Sequence, residues 1–148
     1  MAEVYLEQIT EGMTFESARR SVTETDIVSF SAITGDYSPL HSDLEYIRKY
    51  TPFRDRITQG WLTVTIQSGL NSALKTWKIL AYLGMDRRFI DPVYPGDTIH
   101  ARYTVESVRP SSSRPTGGIV VLACDVVNQR GEVVCTGHET FFVARSNA

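Results

Sequence analysis

The chain has 148 residues, of which 42% are hydrophobic and 22% are charged, and its formal net charge is −2. This length and composition predict one globular domain over residues 1–148, with enough apolar residues for a real core. They do not fit a disordered chain. A slightly acidic chain lacks the basic excess that neutralises phosphates, so nucleic acid is not an expected partner.

Cysteine content and hydropathy further narrow the class of protein to which this chain can belong. Cys124 and Cys135 are too few for a disulfide scaffold and lack metal-binding spacing, so we expect small apolar residues in strands and no metal. The N-terminal segment has no signal-peptide pattern. The longest uncharged run, Ile57 to Leu74, is too polar to cross a membrane. The sequence therefore predicts a cytoplasmic protein without membrane association.

Helical patterns dominate the first half of the chain. The segment from Thr23 to Ile33 predicts a helix capped by Thr23, with Ile27, Phe30 and Ile33 as its buried stripe. Gly35 is expected to end this helix, and Ser42 is expected to cap a second one.

A third helix is predicted from Gln59 to about Lys75. Its apolar residues recur every four positions, at Leu62, Ile66, Leu70 and Leu74. Its other side is polar but uncharged, which is unusual at a protein surface and indicates a helix largely enclosed by other structure.

Strand patterns follow the third helix. The expected segments are Ile79–Leu83, Arg88–Ile90, Thr98–Val108, Ile119–Val127 and Val133–Val143. Thr98–Val108 alternates, with Ile99, Ala101, Tyr103 and Val105 expected on its buried face. The segment from Pro110 to Gly118 is typical of a loop, and Asn128 to Gly131 predicts a hairpin turn. We expect His100 on a solvated strand face and assign no role to His138. An antiparallel sheet wrapped around one long helix, of the α+β class, fits these elements.

The loop from Gly35 to His41 is the first candidate site. Asp36 and His41 lie five residues apart between two predicted helices, where a carboxylate and an imidazole could converge on one water molecule. The alternative is structural: Asp36 as a turn residue and His41 as a partner for backbone groups.

The start of the third helix is the second candidate site. Gly60 would place a free backbone N–H at the positive end of the helix, which suits a carbonyl oxygen gaining negative charge. Alternatively, Gly60 only permits close packing. Ser68, two turns further on, either contacts a substrate or bonds back to its own helix.

Three segments together are similar to a known family. Phe30–His41 resembles the hydratase signature of the MaoC-like family, the (R)-specific enoyl-CoA hydratases, while Ile57–Leu62 and Phe89–Asp97 resemble its second and third blocks. The resemblance implies a hotdog fold and a dimer that binds an acyl thioester at its interface. It also implies Asp36 and His41 as the catalytic pair.

The resemblance further implies Gly60 as the donor to the thioester carbonyl and Ser68 as a substrate contact. Ser38 stands where the signature has Asn, Gln59 where it has His, and Trp61 where it has Met. We expect Ser38 and Trp61 to lie at the substrate, and Trp61 to favour short or compact acyl groups.

The sequence thus predicts a homodimeric or larger acyl-CoA hydratase/dehydratase that converts an enoyl-CoA to a 3-hydroxyacyl-CoA. No cofactor is expected, because CoA is part of the substrate. A hotdog thioesterase is one alternative, although the segment Gly60–Leu74 holds no carboxylate. A non-catalytic acyl-CoA-binding subunit is the other, although Asp36 and His41 are both present.

Overall fold

One antiparallel sheet organises the second half of the chain in the computed structural model, which describes residues 2–146. The helices and strands within those residues have the following bounds: β1 Thr14–Glu16, β2 Arg20–Ser21, α1 Glu24–Thr34, α2 Pro39–Ser42, α3 Leu44–Tyr50, α4 Gly60–Gly69, β3 Ile79–Phe89, β4 Thr98–Pro110, β5 Gly117–Val127 and β6 Val133–Ala144.

The strand order is β1-β4-β5-β6-β3, and β2 pairs with another part of β4. The β5–β6 hairpin turns at Asn128–Gly131 as predicted, with Gly131 at a φ of 79°. The alternation of β4 is also confirmed, because Ile99, Ala101 and Tyr103 are all at most 1% exposed. Strand β3 is left at one edge of the sheet.

Helix α4 packs between α1 and the sheet. Its Leu62, Val64 and Ile66 share a buried cluster with Ile27 of α1 and with apolar residues of β4, β5 and β6. A second cluster lies further along the same sheet. A sheet packed on one central helix confirms the predicted α+β architecture.

The central helix is shorter than the sequence predicted. It ends at Gly69, and a single 3-10 turn, Leu74–Thr76, follows after a break. Gly69 is a weak helix former, and Asn71 just beyond it binds the Tyr103 hydroxyl. Leu74 is still buried, in the second cluster. The apolar spacing that predicted a longer helix therefore identified a core residue correctly, although Leu74 lies beyond the end of α4.

Two helix details differ from expectation. Ser42 is the last residue of α2, and Asp43 caps α3 through a hydrogen bond from the Tyr46 N–H, at 2.9 Å. Ile33 is 80% exposed, whereas Ile27 is fully buried. A three-residue spacing drifts by about 60° per step around a helix with 3.6 residues per turn, which turns Ile33 away from the buried face.

The strands differ from the prediction in the extent of β3 and in the burial of His100, and they also fix the positions of both cysteines. The segments Ile79–Leu83 and Arg88–Ile90 belong mainly to one continuous strand, β3. His100 is buried rather than solvated, and this burial lowers the pKa of its imidazole. Cys124 and Cys135 are both buried and free, opposite Gly137 and Val126 respectively. Among residues 2–146, no helix is long and apolar enough to span a bilayer.

Candidate active site

The loop between α1 and α2 brings Asp36 and His41 together. Gly35 ends α1 in the left-handed conformation, with a φ of 76°, which a glycine adopts without strain. Pro39 then starts α2, and His41 lies on this short helix. As a result, Asp36 Oδ2 lies 3.7 Å from His41 Nε2.

Hydrogen bonds fix the orientation of both side chains. His41 Nδ1 lies 2.7 Å from the carbonyl oxygen of Ile57. Because a carbonyl oxygen only accepts, Nδ1 carries the proton, and Nε2 of the neutral ring is an acceptor. Asp36 Oδ1 accepts a hydrogen bond from the Ser38 backbone N–H, at 3.1 Å. Oδ2 and Nε2 are therefore two acceptors held side by side.

A cavity of about 370 Å³ lies beside His41, and Asp36 is not among its lining residues. Most of its wall is apolar, and His41 and Gly60 both contribute to it. The lining residues also include Phe53, Ile57, Thr58, Trp61, Thr63, Phe89, Ile90, Asp91, Pro92, Val93 and Val134. An apolar pocket with a few polar groups is the usual form of a small-molecule site.

Gly60 is the first residue of α4, so its backbone N–H has no partner within the helix. A Cβ atom at this position would lie only 2.8 Å from the Phe89 ring. A larger residue would therefore require the Phe89 ring to shift, which supports the packing interpretation of Gly60. It is compatible with the donor interpretation, because the N–H lies where the helix meets the cavity.

The two residues flanking Gly60 have different environments. Trp61 lines the cavity and is 66% exposed in the single chain. Gln59 is buried instead, and its Nε2 donates to the Ile27 carbonyl and to Ser31 Oγ, at 3.1 and 2.9 Å. Gln59 thus ties the start of α4 to α1, and it does not line the cavity.

Sequence reasoning missed Thr58 as a polar group of the cavity. Thr58 is 6% exposed and lines the cavity, and its Oγ1 has no hydrogen-bond partner among residues 2–146. Asp91, from the third family block, also lines the cavity. The one sequence signal was their position inside the second and third blocks.

Ser68 and Ser38 are not brought to this cavity within one chain. Ser68 lines a different cavity, and its hydroxyl donates to the Thr65 carbonyl of its own helix, at 2.8 Å. Ser38 contributes backbone groups to the loop, including the carbonyl that accepts from the His41 N–H. Their expected substrate contacts stay predictions.

The chain matches the MaoC-like domain family over residues 7–123 and belongs to that family. It is 36% identical over 68% of its length to protein MaoC of Klebsiella aerogenes, but spans only 30% of that protein. With an (R)-specific enoyl-CoA hydratase of Rhodospirillum rubrum it shares 30% identity over 94% of its own length and 91% of that protein.

Among solved structures, a protein from Archaeoglobus fulgius described as a monoamine oxidase regulatory protein is 34% identical. The TM-score is 0.90, over 99% of this chain and 97% of that one. A Mycobacterium tuberculosis protein described as a double hotdog fold is 19% identical, with a TM-score of 0.86 over 97% of this chain and 45% of that one. The sheet packed against α4 is therefore the hotdog fold that the resemblance implied.

Proposed function

We propose that this protein is a hydratase/dehydratase that adds water reversibly across the α,β double bond of an enoyl-CoA. The observation that carries the proposal is the pair of acceptors, Asp36 Oδ2 and His41 Nε2, held 3.7 Å apart beside an apolar cavity. The names of the relatives support it, since they include an (R)-specific enoyl-CoA hydratase and a 3-hydroxybutyryl-CoA dehydratase.

Two neighbouring acceptors suit a water molecule, because water has two O–H groups to donate. In the proposed reaction Asp36 removes one proton as the water oxygen bonds to Cβ of the substrate. His41 Nε2 accepts a hydrogen bond from the second O–H, which remains on the product as its hydroxyl. The proton taken up by Asp36 is then delivered to Cα, which completes the addition. The Ile57 carbonyl keeps the imidazole in the tautomer that this step needs.

Gly60 supplies the third element of the proposed reaction. Negative charge develops on the thioester oxygen before Cα is protonated. The Gly60 N–H, at the positive end of α4, would stabilise that charge. The CoA thioester is the substrate in this scheme, and no further cofactor is invoked.

A cytoplasmic location stays a prediction.

We also propose that the active unit is a homodimer. The exposed face of α4, with Trp61, Thr65 and Ser68, carries no charge. The edge strand β3 exposes large apolar side chains, such as Leu80 and Leu83 at 55% and 48%. Free edges and apolar patches of this kind are surfaces that a second copy can cover.

A thioesterase is the second candidate, and Asp91 is the observation that favours it. Helix α4 contains no Asp or Glu, but Asp91 places a carboxylate in the wall of the cavity. Thioester hydrolysis would release free CoA thiol. Hydration would instead remove the conjugated enoyl absorbance without releasing thiol.

The experiment is therefore a panel of enoyl-CoA thioesters followed by both readouts. We expect loss of enoyl absorbance, no thiol release, and a 3-hydroxyacyl-CoA product. Thiol release at an equal or higher rate would favour the thioesterase. The Asp91→Asn variant separates the two further, because it should abolish hydrolysis but leave the Asp36–His41 pair in place.

A further inference from the structure

Gln59 is a buried polar residue that directly precedes Gly60, the first residue of α4. Its side chain does not line the cavity beside His41, so the proposed reaction gives it no contact with the substrate. It is only 2% exposed. A buried amide costs free energy unless it makes hydrogen bonds, so its partners indicate what it does.

Both partners of the Gln59 amide nitrogen belong to α1. Nε2 donates to the Ile27 carbonyl oxygen at 3.1 Å and to Ser31 Oγ at 2.9 Å. Because a carbonyl oxygen only accepts, the amide nitrogen and not its oxygen faces α1. Ile27 and Ser31 are buried and lie one turn apart on the same face of that helix. Gln59 therefore donates twice across the contact between α1 and α4.

Ser31 connects this contact with the loop that carries Asp36. Its hydroxyl oxygen accepts from Gln59, and its backbone carbonyl oxygen accepts from the Gly35 N–H at 2.8 Å. Gly35 directly precedes Asp36 in the chain. Hydrogen bonds through a single residue thus link the residue before Asp36 with the residue before Gly60.

The segment that leads into α4 is also bound to the other side chain of the proposed pair. The Ile57 carbonyl oxygen lies 2.7 Å from His41 Nδ1. Ile57 therefore anchors this segment to His41, and Gln59 anchors it to α1. In the proposed reaction the Gly60 N–H meets the thioester oxygen while Asp36 and His41 hold water at Cβ. These groups must keep a fixed spacing for the substrate to react.

Apolar packing alone does not provide such a fixed spacing. Ile27 and Leu62 share a buried cluster, but burial of apolar surface is non-directional. Hydrogen bonds are directional, and they weaken steeply when they are bent. Catalytic groups work only when they are held within about 0.5 Å of the productive geometry. The Gln59 amide supplies a directional restraint beside the donor that must be held.

We propose that Gln59 is a positioning residue that sets where the Gly60 N–H lies relative to Asp36. The link runs through Ser31. This inference rests on the proposed function and deepens it, because it assigns a buried residue to the alignment of the thioester carbonyl with the water. Gln59 acts through Gly60 and does not touch the substrate, so its loss should affect the transition state more than substrate binding.

The test compares Gln59→Met, which keeps a long side chain but has no donor, with the parent protein. One readout is hydration of crotonyl-CoA. The other is the NMR shift of the carbonyl carbon in bound butyryl-CoA labelled with carbon-13, which reports how strongly a donor polarises the thioester. This saturated thioester cannot be hydrated, so the second readout is independent of activity.

In Gln59→Met we expect kcat to fall about 10-fold, because a misplaced donor loses part of the stabilisation that a removed donor loses entirely. KM should change less than about 2-fold, since the contact strengthens mainly in the transition state. The carbonyl carbon should shift toward its value in free butyryl-CoA.

Two further variants separate positioning from loss of stability. Ser31→Ala removes one of the two bonds and leaves Gln59 in place, so it should give smaller changes in the same direction. It also keeps the test decisive if Gln59→Met does not fold. Asn71→Leu is the matched control, because it removes a buried hydrogen bond just beyond the other end of α4. It should lower Tm and leave kcat and the carbonyl shift unchanged.

The outcomes distinguish this inference from the proposed function. A carbonyl shift that falls in both Gln59→Met and Ser31→Ala supports the link, even if crotonyl-CoA is not hydrated, which overturns the hydratase alone. Full kcat in both variants overturns the positioning role and leaves the hydratase standing. A lower kcat with an unchanged carbonyl shift, or an equal loss in Asn71→Leu, overturns the positioning role as well. If butyryl-CoA binds the parent protein without any carbonyl shift, the Gly60 donor and this inference fall together.

Discussion

Replacing Asp36 by Asn is the sharpest test of the proposed chemistry. The carboxylate is fixed because Oδ1 accepts from the Ser38 N–H. If the Asn carbonyl oxygen keeps that bond, its NH₂ takes the place of Oδ2 and faces His41 Nε2, 3.7 Å away in the parent protein. A donor then replaces the acceptor that water needs, while size and shape are unchanged.

The expected loss in kcat is at least ~10²-fold, or about 2.7 kcal/mol of transition-state stabilisation. His41→Ala should cost at least as much, and the double variant should be little worse than the poorer single variant, because the two side chains share one water molecule. Hydration is followed by loss of enoyl absorbance. Circular dichroism and Tm check folding, which should change little because Asp36 is half-exposed.

The matched control is Asp43→Asn, two residues beyond His41. Asp43 caps α3, and Asn is an equally good capping residue, so activity should be retained. If either Asp36→Asn or His41→Ala folds normally and keeps near-full activity, this loop does not carry catalysis. If both variants simply unfold, the structural interpretation of the loop is favoured.

Three further predictions concern the substrate, the assembly and pH. Trp61→Met should broaden the chain-length profile, because a flexible side chain would replace an indole that lines the cavity; an unchanged profile would contradict this role. Light scattering at micromolar concentration should show a dimer, and Leu83→Glu on β3 should shift it toward monomer; a stable wild-type monomer would refute the interface. Asp86 and Glu106 raise the pKa of His138, so the charged imidazole stabilises the fold below about pH 6.5. That contribution is lost as pH rises through the raised pKa. Urea unfolding should therefore show His138→Gln to be destabilising mainly at low pH, and a deficit independent of pH would argue against the ion pairs.

Much of this protein follows from local sequence signals. Thr23 and Gly35 bound α1 because a capping side chain and a left-handed glycine act within a few residues of the helix end. The alternation of β4 and the turn at Asn128–Gly131 were readable for the same reason. The five-residue spacing allowed Asp36 and His41 to converge without requiring it, and the loop holds their side chains 3.7 Å apart.

Other features depend on contacts between residues distant in sequence, and only the tertiary structure decided them. Helix α4 ends at Gly69, a weak helix former. Just beyond it, Asn71 accepts a hydrogen bond from the hydroxyl of Tyr103, which lies on β4. The burial of His100 and the tie between Gln59 and α1 each depend on a neighbouring element. The sequence pattern could not show that Glu139 is buried with one oxygen unpaired, because its partners Gln67 and Arg87 come from α4 and β3. Local patterns determine where elements begin and which face is apolar, whereas the pairing of buried polar groups is determined only when those elements pack.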